Sequence, residues 1–203
     1  MKHLPKSPNY FYIKLLGDNN TICTYDELQY STDLKKWKTG DIIENVNKGT
    51  KIYFKVSSNR TRSYYYARDV YESGDLTHGV FFNSEYNVLN DYEIGGNIGS
   101  LYFTDFETRD YSKVKFDREC AYMFYNEKKL VSAKNLIIPF NNPDDEGLCE
   151  RMFYNCSSLS HIPKLPYTTK VGPSCYKGMF YLCGSIRQAP ALPATTLADS
   201  CYK

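Results

Sequence analysis

Along the first hundred residues, short apolar and aromatic runs alternate with turns rich in Gly, Asn, Asp and Ser. Residues 10–16 predict a strand, Gly17-Asp18-Asn19-Asn20 the turn after it, and residues 21–25 the returning arm of a hairpin. Residues 28–31, the segment around Trp37 and residues 51–57 predict further strands, the last preceded by the turn signal Asn47-Lys48-Gly49. Residues 51–56 alternate imperfectly between charged and apolar, as a strand with one buried face does. Tyr64-Tyr65-Tyr66 and Val80-Phe81-Phe82 add two more candidates. Short strands at roughly 10-residue spacing predict an antiparallel β-sandwich over residues 9–100. Residues 1–8, with Pro5 and Pro8, read as an extended arm, and residues 101–117 as a junction.

From residue 118 the pattern changes from alternation to repetition. Cys120-Ala121-Tyr122-Met123-Phe124-Tyr125 returns as Cys149-Glu150-Arg151-Met152-Phe153-Tyr154-Asn155-Cys156. It returns again as Cys175-Tyr176-Lys177-Gly178-Met179-Phe180-Tyr181-Leu182-Cys183, and restarts at Cys201-Tyr202-Lys203. The leading cysteines are 29, 26 and 26 residues apart. Such a period is the mark of a solenoid, in which no unit buries its own apolar face and each stacks on the next. Cys149, Met152, Phe153, Cys156 and Leu159 in the second unit are expected to form its core, as are Cys175, Met179, Phe180, Cys183 and Ile186 in the third. Residues 118–203 then hold about three units and the start of a fourth. An unfinished stack predicts that the chain is the N-terminal part of a longer protein, or that a partner covers its last unit.

The string Met152-Phe153-Tyr154-Asn155-Cys156-Ser157-Ser158-Leu159, and above all Ala189-Pro190-Ala191-Leu192-Pro193-Ala194-Thr195-Thr196-Leu197-Ala198-Asp199-Ser200-Cys201-Tyr202, resembles the BspA-like leucine-rich repeats. These occur on surface proteins of gut Bacteroidales and in proteins encoded by their phages. The second unit departs from the pattern at Tyr167 and Lys170-Val171-Gly172-Pro173, and the first departs further at residues 140–146. Residues 30–37 and 95–102 are only loosely similar to the Ig-like lead-in that some of these proteins carry. The resemblance implies an Ig-like antiparallel sandwich before the repeats, and adhesion or structural binding without catalytic residues or cofactor.

Composition narrows the partners. Lys+Arg is 25 against Asp+Glu 23, so no global field draws nucleic acid or an acidic membrane. No apolar run approaches the ~20 residues that span a bilayer, and Pro5 and Pro8 interrupt the start where an export signal would be continuous. Aromatic residues make up 16%, with Tyr 20 and Trp 1, which favours strands and contact surfaces. Tyr64, Tyr65 and Tyr66 with Arg62 and Arg68 are the candidate interface, because interface hot spots favour Tyr and Arg.

The remaining chemistry-bearing residues have plainer explanations. The repeat cysteines lack knuckle spacing and fit a core column of free thiols better than disulfides or a metal site. His78 and His161 have no nucleophile signature beside them. Asp144-Asp145-Glu146 reads as a solvated turn, Gly95-Gly96-Asn97-Ile98-Gly99 as a turn at the junction, and Lys35-Lys36-Trp37-Lys38 as a hairpin with a buried Trp. The expected function is a non-enzymatic virion protein, a phage fibre or appendage of head or tail. Its β domain anchors to capsid or tail proteins, it forms a dimer or trimer, and its repeats meet a host-surface glycan or protein. No nucleic acid and no membrane insertion are expected. The alternative is a bacterial cell-surface adhesin. The start at Met1-Lys2-His3-Leu4-Pro5 favours the virion, since a phage protein leaves by lysis.

Overall fold

The computed structural model describes residues 9–24, 28–40, 42–59, 81, 87, 89–116, 118–166 and 169–203, and over these the chain is mainly β. Its strands are β1 (Phe11–Leu15), β2 (Asn20–Cys23), β3 (Leu28–Ser31), β4 (Lys38–Thr39), β5 (Ile42–Val46), β6 (Lys51–Val56), β7 (Tyr92–Asn97), β8 (Leu130–Ile137), β9 (Lys170–Val171) and β10 (Thr196–Leu197). Among the described residues helix is confined to two 3-10 turns, Ile98–Leu101 and Tyr111–Lys113, capped by the side chains of Asn97 and Asp110. Six strands form one mixed sheet in the order β4-β3-β6-β1-β7-β8, while β2 pairs with β5 and β9 with β10. Alternation fixes the faces: Phe11, Ile13 and Leu15 of β1 and Ile52, Phe54 and Val56 of β6 are buried, each worth about 1.5–3 kcal/mol of transfer free energy.

The strand pairings described within residues 9–100 are all antiparallel. The six-stranded sheet is nevertheless mixed, because β7 and β8 run parallel, Tyr92 opposite Leu130 and Asn97 opposite Ile137. The reason is that β8 belongs to the repeats, whose successive layers all run one way, so the strand it joins takes the same direction. The hairpin of residues 10–16 and 21–25 does not form: β1 pairs with β6 and β7, and β2 crosses to β5. Asn20 holds that crossing, fully buried, with Nδ2 donating to the carbonyls of Gly17 at 2.7 Å and Val46 at 2.8 Å. Residues 95–99 are not a junction turn, because Gly95, Gly96 and Asn97 lie within β7. Gly96 has φ of +75° and sits where any Cβ would meet the Tyr10 carbonyl. The sheet thus draws strands from both sides of residues 101–117, and one continuous core runs from Phe11 to Cys201.

The repeats are built from turns rather than helices. Residues 118, 122 and 126, then 147, 151 and 155, then 174, 178 and 182 have φ between +50° and +61°, and between them the chain closes four-residue turns such as Ala121 N–H to Arg118 O at 3.0 Å. The alternate amides point along the stack. Those of Cys120, Tyr122 and Phe124 donate to the carbonyls of Leu148, Glu150 and Met152, and those of Cys149, Arg151 and Phe153 to Cys175, Lys177 and Met179. Every second residue is therefore bonded to the next layer, as in a parallel ladder. On the other side of the stack, Ala133 N–H donates to His161 O at 2.7 Å, and β9 pairs with β10.

The side chains follow the same register. Phe124 and Phe153 stack with centroids 5.6 Å apart, and Phe153 and Phe180 at 5.7 Å, interplanar angles 9° and 2°. Tyr125, Tyr154 and Tyr181 form a second column at 4.9 and 5.1 Å. Phe11 and Phe81 close the first column on its N-terminal side, 6.0 and 5.7 Å from Phe124.

Candidate binding surfaces

The outer face of the six-stranded sheet carries the side chains that alternation turns away from the core. Cross-strand register sets them in rows. Tyr53, Tyr12, Gly95 and Asn135 make one row, Gln29, Lys55 and Tyr10 a second, and Lys51, Lys14 and Glu93 a third. Gly95 leaves room for the Tyr12 ring to cross β7, since a Cβ there would collide with the Tyr12 hydroxyl. Tyr12 meets Tyr53 edge-on at 5.8 Å, and the Lys51 ammonium sits 4.4 Å over the Tyr12 ring. Trp37 meets Tyr10 edge-on at 4.9 Å, with the Lys55 ammonium 4.2 Å from the Trp37 centroid. Burial raises the hydroxyl pKa of both Tyr10 and Tyr12, and Glu107 adds to the rise at Tyr10. Lys14 is paired with Glu93 at 3.1 Å, whereas Lys51 and Lys55 have no carboxylate partner among the described residues.

The far end of the stack is a second surface. The amides of Phe180 and Leu182 continue the ladder positions of Phe153 and Asn155, and neither has a partner among the described residues. Tyr181, Leu182, Leu192 and Leu197 are each more than half exposed, four of the six exposed large hydrophobic residues described. A cavity of about 320 Å³ lies between Met179, Phe180, Leu192 and Tyr202.

The sequence candidates divide three ways. Arg62, Tyr64, Tyr65, Tyr66 and Arg68 lie outside the described residues, as does His78. In the repeats, Cys149, Met152, Phe153, Cys156, Leu159, Cys175, Met179 and Cys183 are buried, while Phe180 and Ile186 in the last full layer are only partly so. Trp37 is half-buried between Tyr10 and Lys55 rather than enclosed, in the loop of the β3–β4 pair.

The leading cysteines do not form one column, which corrects the 26-residue spacing. Arg118, Gly147, Ser174 and Ser200 share one position by their positive φ. Cys120 and Cys149 sit two residues after it, but Cys175 and Cys201 only one. The vacated position holds Tyr176 and Tyr202, whose rings stack at 5.6 Å. Cys156 and Cys183 do share a column. Their thiols donate to the carbonyls of Phe124 at 3.0 Å and Phe153 at 2.9 Å. All seven cysteines are buried. The neighbouring thiols, Cys120 beside Cys149 and Cys183 beside Cys156, and then burial push both well above the ordinary range, so these are poor nucleophiles.

Residues 144–146 are not a wholly solvated turn. Asp144 and Glu146 are exposed, the former paired with Lys170 at 2.9 Å, but Asp145 is buried. Its Oδ1 accepts the Phe116 amide at 2.7 Å and its Oδ2 has no partner. Burial raises its pKa to about 6, against the lowering effect of the Phe116 amide. Among the described residues no group of three or more His, Cys, Asp and Glu is placed to hold a metal ion. No described helix is long and apolar enough to cross a membrane.

The sheet face was only half visible in the sequence. Alternation in residues 51–56 puts Lys51, Tyr53 and Lys55 on one side, but their rows depend on β6 meeting β1 and β3 rather than their sequence neighbours. Compared with family models, with curated proteins and with solved structures, the chain matches none.

Proposed function

We propose that residues 118–203 are the opening coils of a leucine-rich-repeat solenoid, and that the chain is a non-enzymatic structural protein of a virion, a fibre or appendage. In this reading the β region, an Ig-like base, docks on capsid or tail proteins as a symmetric oligomer, and the repeats project toward the host surface. The observation that carries it is the in-register ladder between layers, with the Phe and Tyr columns running through it. Such a stack lengthens by one layer per repeat and resists bending, because every layer is hydrogen-bonded to the next. Its N-terminal end is occupied by Phe11, Phe81 and β7, so growth runs one way, away from the base. The resemblance to repeats encoded by phages supplies the virion.

Peptide mass spectrometry on purified phage particles, beside proteins shaved from uninfected cells, tests this. Peptides of the chain in washed particles at stoichiometric abundance are the expected result. Peptides confined to the cell surface overturn the virion reading in favour of an adhesin.

A further inference from the structure

We propose that the outer face of the six-stranded sheet is a binding site for an anionic polysaccharide, a chain of sugars bearing carboxylates. The face combines three kinds of group. Tyr10, Tyr12, Trp37 and Tyr53 are half-buried rings that present apolar edges and faces, the surfaces on which the C–H side of a sugar packs. Gln29 and Asn135 supply carboxamides for hydroxyls. Lys51 and Lys55 supply ammonium groups without a carboxylate partner among the described residues. On one strand and four residues apart, they project from the same face at a separation of about 13 Å. Three lysines here face one glutamate, Glu93, with Glu107 at the rim accepting the Asn9 amide at 2.8 Å. The balance is positive although the whole chain carries only +2.

Two other polyanions fit less well. Single-stranded nucleic acid needs ring faces presented side by side to successive bases, but the ring pairs here stand edge-on, at 62° and 65°. An acidic protein surface would bury lysine at the centre of the contact, where interfaces are depleted of it. A carboxylated sugar needs only one ring edge and one cation per contact. Each ammonium leaves its ring to meet a carboxylate, and the uncovered ring then meets the sugar. The assignment of this site does not depend on the virion reading.

Trp37 is the single tryptophan of the chain, so its fluorescence reports this face alone. The intact chain is titrated with an oligogalacturonate, with a neutral oligosaccharide of the same length and with an oligothymidylate. A saturable fluorescence change with the oligogalacturonate only, weakened by salt, is expected. The double variant K51Q/K55Q should bind roughly tenfold more weakly, with unchanged melting, and K164Q on the repeats should bind as the parent does. No saturable change, equal or tighter binding of oligothymidylate, or undiminished binding by K51Q/K55Q would overturn the assignment.

Discussion

The two ends of the repeat stack meet opposite fates. At the N-terminal end, Phe124 is fully buried beneath Phe11 and Phe81, and β8 is paired along its length with β7. At the other end Phe180 has Phe153 on one side only, and Tyr181, Leu182, Leu192 and Leu197 are exposed. The layers are chemically alike, so the difference comes from what lies beyond them. A repeat has no edge chemistry of its own, and a stack is as stable at each end as its cover makes it. The β region is therefore a lid as well as a domain.

Truncating equivalent rings tests that contrast most directly. Phe153→Ala removes a ring held on both faces in a site with no solvent, and should cost about 3–5 kcal/mol in urea unfolding. Phe180→Ala removes the same ring where one face is uncovered, and should cost less than half as much. Equal losses would mean that the far end is covered in solution.

Glycine positions give the next largest difference. Gly96 joins the lid to the stack with φ of +75° and no space beside the Tyr10 carbonyl, so Gly96→Ala should destabilise by about 3 kcal/mol. Gly184, at the far end, has nothing within 4 Å of a Cβ, and Gly184→Ala should be within about 0.5 kcal/mol of neutral. Thermal melts of the two variants would decide it, and comparable shifts would show that the lid tolerates displacement.

Asp145 lies in the closed part of the stack and gives a pH signature. Its folded pKa, about 6, lies above its ordinary value because burial opposes the charged form. The folded state then holds the proton more tightly than the unfolded one. Stability is greatest below about pH 4 and falls as pH rises through about 6, by on the order of 2–3 kcal/mol for this group. Asp145→Asn, which keeps the acceptor for the Phe116 amide, should be more stable than the parent at pH 7 by on the order of 2 kcal/mol. The gain should vanish near pH 4. Denaturant midpoints across that range measure it, and a pH-independent difference would refute the assignment.

What the sequence made legible follows the reach of its signals. Strands β1, β3 and β6 were visible because alternation is local, and so was the repeat, because Met-Phe-Tyr recurs. β7 was hidden by Gly95 and Gly96, which mark a turn in isolation but here let Tyr12 and Tyr10 approach the strand. β5 was hidden by Glu44 and Asn45, the latter with φ of +55°. The Cys175 slip was hidden because the cysteines repeat every 26 residues at the end while Met152 and Met179 lie 27 apart. The rows of the sheet face depend on pairings between residues far apart in the chain, such as Tyr12 with Gly95, which no local pattern encodes.

The smallest effect is the sharpest probe of the open end. Asn126, Asn155 and Leu182 occupy one position, each with positive φ. Asn155 Nδ2 donates to Asn126 Oδ1 at 2.7 Å, the start of an amide ladder that Leu182 breaks. Asn tolerates the left-handed region and Leu does not, and Leu182 offers little burial in return, being 55% exposed. Leu182→Asn should therefore stabilise the chain, by about 0.5–1 kcal/mol, through relieved backbone strain and one more amide rung. It also removes an apolar side chain from the uncovered face, so self-association at high concentration should fall. Sedimentation and urea unfolding separate the two consequences. Destabilisation by Leu182→Asn would mean that Leu182 is packed in solution, and that the two ends of the stack are more alike than their side chains suggest.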